Sequence, residues 1–236
     1  MYKELIIALV FFAALGGFLG LALALVDKKM AVRSDSRISD ITDLLPGANC
    51  GGCGYAGCAA LAEAIVKGEA PANKCAGVKK ENLSKIGAIM GVSEPLNAKR
   101  LRAVVHCHGT SENATQKYKY MGIADCAAAA KLHGGSKLCS DGCIGLGNCV
   151  AACKFKAISV VKGVAVVNAD KCVGCGACVA SCPKGLIELI PADSYCYVAC
   201  KAQAKGAAVK EFCAVGCIGC GICVRGCEVG AIQKHG

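Results

Sequence analysis

The chain has 236 residues, 21 of them Cys and 30 Gly, with no Trp and only 5% aromatics. That composition excludes a core built on large aromatic side chains and points to disulfides or metals as the main cross-links. The formal charge of +10 would suit an anionic partner, but no aromatic platform interleaves the basic stretches, so nucleic-acid binding is not expected.

In chain order, Leu5 to Val26 is an uncharged apolar run of 22 residues, enough to cross a ~30 Å hydrocarbon core as a helix. Residues 1–30 therefore read as a single-pass transmembrane anchor. A cleaved signal peptide is the alternative, with Lys3 ahead of the run and Ala22-Leu23-Ala24 as its cleavage site. The apolar part of such a peptide spans only ~7 to 15 residues. Lys28, Lys29 and Arg33 outweigh Lys3, which places the remaining domains on the cytoplasmic side of the cell (inner) membrane. Thiols stay reduced there, so dense CxxC spacing reads as metal binding.

Residues 31–95 form a small helical domain. Ala31 to Leu45 is a polar connector with a helix, and PGANCGGCGYAGC then supplies Cys50, Cys53 and Cys58, with Cys75 after the helical run AALAEAIVKGEA. The interspersed glycines let the backbone wrap an inorganic core. A [4Fe-4S] core with four thiolates carries a net charge of about −2, which amide donors and a helix N-terminus stabilise. Zinc is the rival, but its structural sites use paired CxxC units, which this spacing lacks.

Residues 96–138 read as a connecting region and 139–192 as a two-cluster ferredoxin domain. Lys171-Cys-Val-Gly-Cys-Gly-Ala-Cys-Val-Ala-Ser-Cys-Pro183 is the bacterial run CxxCxxCxxxCP, in which three thiols bind one cluster and the fourth reaches the other. Cys217, Cys220, Cys223 and Cys227 repeat the spacing within an additional partial module, residues 193–236. Aligning residues 139–158 with 213–232 superposes every cysteine but one: Leu146 stands opposite Cys220. The expected ligand sets are Cys172, Cys175 and Cys178 with Cys153, and Cys143, Cys149 and Cys139 with Cys182. Strands are expected at Ala157 to Val161 and Val164 to Val167 around Lys162-Gly163, and at Gly185 to Ile190, giving two ββα copies. The Cys217 half has no visible partner half; either a further half follows, or Cys213 and an upstream thiol complete its site.

Cys107, Cys126, Cys196 and Cys200 remain, as ligands or as ordinary buried thiols. The interval from Cys126 to Cys139 equals that from Cys200 to Cys213, which admits the upstream thiols to the repeat. His106-Cys-His108 reads as solvent-exposed histidines, because neither zinc nor a Rieske-like centre finds its second pair of ligands.

The anchor, PGANCGGCGYAGC, Val104-Val-His-Cys-His-Gly109, Gly142-Cys-Ile-Gly-Leu-Gly147 and the ferredoxin halves, in this order, resemble the B subunits of Rnf complexes over nearly the whole chain. The resemblance implies a membrane-bound assembly that moves electrons between reduced ferredoxin and NAD, coupled to Na+ or H+ translocation. It implies that this chain takes electrons from soluble ferredoxin and passes them to the other Rnf subunits. Cys50, Cys53, Cys58 and Cys75 match the family's N-terminal cluster motif, and the ferredoxin cysteines match its polyferredoxin part. Lys154 and Glu228 depart from the family's proline, and longer members continue with a further CxxCxxCxxxCP. The fold expected is α+β, with at least three and up to five [4Fe-4S] clusters and no catalytic residue of its own, since no GxGxxG, GxxxxGK[ST] or nucleophile-base motif occurs. Two other functions compete: a membrane-tethered polyferredoxin serving a different enzyme such as a hydrogenase, and a zinc-stabilised interaction protein. Lys79, Lys80, Lys99, Arg100, Arg102, Lys117 and Lys119 form a candidate patch for an acidic ferredoxin.

Overall fold

The computed structural model describes residues 2–30, 35–92, 100–194 and 196–232, which fall into two units, Met1–Ser36 and Arg37–Gly236. The first is helix α1 (Tyr2–Met30). Its segment Tyr2–Val26 is long and apolar enough to cross a membrane, because from Leu5 to Val26 no charged side chain interrupts the backbone-satisfied helix.

The second unit begins with α2 (Ser36–Leu44), α3 (Cys58–Val66) and α4 (Lys80–Met90). Their apolar faces enclose Ile41, Leu61, Ile65 and Ile86, and Asn82 Nδ2 donates to Leu44 O at 2.8 Å, tying α4 to the end of α2. Gly91, at φ 69°, stops α4 in the left-handed conformation that its missing Cβ permits. Ile86 is fully buried, so Ile86→Ala should cost about 2–5 kcal/mol, read as a lower denaturant midpoint by circular dichroism.

The remainder holds strands β1 (Leu101–Val105), β2 (Ile158–Val161), β3 (Val164–Val167) and β4 (Ile187–Pro191), with helices α5 (Cys126–Ala130), α6 (Asn148–Ala152), α7 (Ala177–Ser181), α8 (Ala207–Phe212) and α9 (Ile222–Arg225). β2 and β3 make the expected hairpin. Lys162 (φ 47°) and Gly163 (φ 74°) turn it in the left-handed region that two-residue hairpin loops require. The second expected copy differs. β4 starts two residues late, after Gly185 (φ 58°), and its antiparallel partner is β1, with Leu101 opposite Pro191 and Val105 opposite Ile187. Residues 96–138 are thus more than a connector: they supply the strand that completes the second sheet. Mixed helix and strand content agrees with the α+β expectation.

The core between these elements is made of small and branched residues, among them Ala103, Val105, Ile158 and Leu186, together with the thiols of Cys107, Cys149, Cys172 and Cys178. Sulfur fills the space that aromatic rings would take in an ordinary core.

Candidate metal centres

Each cysteine loop is shaped by glycines. In the ferredoxin part, a Cβ on Gly145 would lie 2.5 Å from Gly163 O, and one on Gly174 would lie 2.5 Å from Leu101 O. Both loops therefore press their backbones onto a strand end that no side chain could approach. The helices that follow, α6 and α7, begin after Gly147 (φ 87°) and Gly176 (φ 79°).

The thiols gather into sets. Cys50, Cys53, Cys58 and Cys75 line one cavity, where Cys58 N donates to Asn49 Oδ1 at 2.8 Å and starts α3. Gly57 leaves room for that cap, since a Cβ there would sit 2.8 Å from Asn49 Oδ1. Cys153, Cys172, Cys175 and Cys178 line a second cavity, the crossover expected for one ferredoxin set.

The third set corrects the sequence reading. Cys143, Cys149 and Cys182 line their cavity with Cys126, and Cys139 stands elsewhere. The reason is a polar clamp. Asn148 Nδ2 donates to Asp125 Oδ2 at 2.7 Å, Asn148 Oδ1 accepts from Cys126 N at 2.8 Å, and Asp125 Oδ1 accepts from Ala128 N at 2.6 Å. These bonds seat α5 against the start of α6, so Cys126 is the fourth thiol lining this cavity, beside a loop in which Leu146 stands at the position of a ligand. Asn148 was the available signal; its counterparts in the repeat are Ala177 and Ile222, neither of which can make this clamp.

Cys139 and Cys213 share a separate cavity with Cys107 and Cys200, which speaks against one of the two alternatives for the Cys217 half, its completion by Cys213. The matching intervals from Cys126 and Cys200 do not carry equivalent roles, because Cys126 and Cys139 fall in different sets. Cys217, Cys220 and Cys223 are exposed and Cys227 half-buried. Their loop still has the ferredoxin form: α9 follows Gly221 at φ 70°, and Ala231 N donates to Cys227 Sγ at 3.2 Å. Ala157 N to Cys153 Sγ (3.3 Å) and Leu186 N to Cys182 Sγ (3.4 Å) are the same contact. Cys196 is exposed.

The first three sets fit [4Fe-4S] cores. Four thiols ring the second and third cavities and five the first, where Cys175 joins the Cys50 set, and in the ferredoxin part backbone N–H groups point at sulfur, as Ala103 N does at Cys172 Sγ (3.3 Å). Burial, reinforced by neighbouring thiolates, pushes the Cys149 and Cys178 thiols up to about 11. Sulfurs so enclosed become thiolates only when a cationic core between them offsets the burial. Among the described residues, no three His, Cys, Asp or Glu groups stand at the spacing of a single bound ion.

His106 is not solvent-exposed as expected. Its side chain is 14% exposed, with Nδ1 2.6 Å from Val198 O and Nε2 3.0 Å from Glu188 Oε2, so it braces β4 against the segment after it. His108 is exposed. Of the basic patch, Lys79, Lys80, Arg100, Lys117 and Lys119 are exposed. Arg102 is partly buried and donates to Ser194 O at 2.6 Å, and Lys99 lies outside the described residues.

Comparison with known proteins finds an Fe-S cluster family over residues 45–76 and a 4Fe-4S dicluster domain over residues 138–186. The chain is 42% identical over 217 residues to the B subunit of the ion-translocating oxidoreductase complex of Methanosarcina acetivorans, covering 92% of this chain and 82% of that one. It is 40% identical to the B subunit of the proton-translocating ferredoxin:NAD(+) oxidoreductase complex of Clostridium ljungdahlii, covering 91% and 76% respectively. It is also 37% identical to the B subunit of the Na(+)-translocating ferredoxin:NAD(+) oxidoreductase complex of Acetobacterium woodii, covering 90% and 64%.

Proposed function

Because this chain belongs to the family of B subunits of ion-translocating oxidoreductase complexes, we propose that it is the component through which a reduced soluble ferredoxin delivers electrons to such a complex. Its partners are then the other subunits of the assembly, which carry NAD reduction and the translocation of Na+ or H+. Helix α1 tethers the iron-sulfur domains at the cytoplasmic face of the cell membrane, as the positive flank of Lys28, Lys29 and Arg33 supports.

The observation that carries this reading is the contiguity of the thiol sets. Cys153 leaves α6 to join the Cys172 set, while Cys182 leaves α7 to join the Cys143 set. Cys175 in turn borders the cavity of the Cys50 set. Held there, [4Fe-4S] clusters supply reversible one-electron chemistry at potentials set by hydrogen bonds to sulfur, burial and nearby charge. The protein's own work is to hold the thiolates, to keep water out with Val105, Ile158 and Leu186, and to aim N–H groups at sulfur.

Exposed Lys79, Lys80, Lys117 and Lys119 give an acidic ferredoxin a complementary surface. Stopped-flow oxidation of reduced ferredoxin by the intact complex should therefore slow as salt rises from about 0.1 M to 1 M, where the Debye length shrinks from about 10 to 3 Å. Lys79→Glu with Lys80→Glu should slow the low-salt rate and leave the high-salt rate nearly unchanged. Iron and acid-labile sulfide in the anaerobically purified chain test the cofactor directly; zinc without sulfide would refute the whole reading.

A further inference from the structure

The cavity shared by Cys107, Cys139, Cys200 and Cys213 lies outside both matched family regions except for Cys139. Its thiols come from four distant places: just past β1, the loop before α6, the loop after β4 and the end of α8. All four are free thiols. The cavity measures about 20 Å³, against about 10 to 30 Å³ at the three sets already described. Like them it is lined by thiols and glycines, but it adds charged groups, among them Lys137 and Asp141, and the Asp141 carboxylate is engaged by Gln203 N at 2.9 Å.

Three contacts fix the arrangement. Cys107 and Cys200 are antiparallel bridge partners. A Cβ on Gly109 would lie 3.4 Å from Cys213 Sγ and 3.8 Å from Cys107 Sγ, so both sulfurs face one small space that glycine keeps open. Gly142 plays that part for Cys139, whose Sγ would lie 3.7 Å from its Cβ. Burial pushes the Cys139 thiol up, and the charges of Asp141 and then of Cys107 and Cys200 add to the effect.

An independent observation concerns charge. Lys137 borders this cavity, is 4% exposed, and donates from Nζ to Gly109 O at 2.7 Å and Gly163 O at 2.9 Å. Among the ion pairs of the described residues none includes Lys137. A buried ammonium held only by carbonyls calls for a nearby anion. Thiolate-bound [4Fe-4S], at about −2, is such an anion.

Resting on the iron-sulfur reading above, we propose that Cys107, Cys139, Cys200 and Cys213 hold a fourth [4Fe-4S] cluster, with Lys137 as its buried counter-charge. On binding, each thiol gives up its proton and its sulfur bonds one iron. Cys143 N donates to Cys107 Sγ at 3.3 Å, so the new set abuts the Cys126 set. On its other side Cys200 and Cys217 line a common cavity. The fourth site therefore joins the two-cluster domain to the exposed C-terminal cysteine loop.

The test uses the full chain, purified without oxygen, as wild type and as Cys107→Ser and Cys200→Ser. Each variant should lose about four irons and four sulfides per chain, while the reduced-state EPR signals of the other sets persist. Unchanged iron in Cys200→Ser, or loss of one zinc in place of iron, overturns the proposal. Cys107→Ser also removes the acceptor of Cys143 N and can shed a second cluster, so Cys200→Ser decides. Wild-type protein without iron or sulfide would instead refute the broader functional reading. Lys137→Met should keep the iron count and lower the midpoint potential of one signal, since a nearby cation favours the reduced, more negative state; an unmoved potential removes Lys137 from the site.

Discussion

Cys126→Ala should cost the chain one [4Fe-4S] cluster, either whole (about four irons and four sulfides) or by conversion to a three-iron form, and adding Leu146→Cys to that variant should restore it. The first half follows from the third cavity, where Cys126 stands with Cys143, Cys149 and Cys182. A [4Fe-4S] core with one corner open to Ala lacks a thiolate and is lost or reduced to a three-iron form, which EPR distinguishes. The second half follows from backbone geometry. Residue 146 sits between Gly145 (φ 83°) and Gly147 (φ 87°), as Cys175 sits between Gly174 (φ 69°) and Gly176 (φ 79°). A thiol at 146 is therefore presented as Cys175 presents its own, so the loop remains competent and only its donor has moved to α5. Cys139→Ala, by contrast, should leave this cluster's EPR signal in place. If Cys139→Ala abolishes it and Cys126→Ala does not, the ligand set reverts to the one expected from sequence.

What is legible in the sequence divides by the range of the interaction. The CxxCxxCxxxCP run specifies loop, helix and crossover within a dozen residues, and Cys153 and Cys182 stand in the cavities that run implies. Lys162-Gly163 specifies its own hairpin for the same local reason. Leu101–Val105 reads as part of a connector because a five-residue edge strand takes its identity from β4, some eighty residues on. Spacing alone favours Cys139, the thiol four residues before Cys143, over Cys126. The deciding term is the Asp125–Asn148 clamp, a polar contact across 23 positions. The grouping of Cys107, Cys139, Cys200 and Cys213 is not legible in sequence either: only the interval from Cys200 to Cys213 recurs, and its counterpart, Cys126 to Cys139, is divided between two sets.

The second large effect concerns how the Cys50 module meets the ferredoxin part. A Cβ on Gly52 would lie 2.3 Å from Cys175 O, closer than any real contact. The obstacle is backbone, held on both sides by Gly174 and Gly176 in the left-handed region, so it cannot swing aside as a side-chain tip would. Gly52→Val should therefore push the two surfaces apart, at an overpacking cost of about 1–3 kcal/mol, or roughly 5- to 150-fold in the docking equilibrium. The cysteines of both modules are untouched, so iron and sulfide should remain at wild-type levels. Two readouts should change: the magnetic interaction between the two reduced centres in EPR should weaken, and electron passage between the modules should slow. Gly57→Ala is the control. It too meets an atom at 2.8 Å, but that atom is Asn49 Oδ1 within the same module; its cost falls on the cap of α3 and the stability of the Cys50 set, with the coupling kept. Equal loss of coupling in both variants would mean that the Gly52 contact is incidental and that the modules are held together elsewhere, through Phe155 and Pro46 around Gly77.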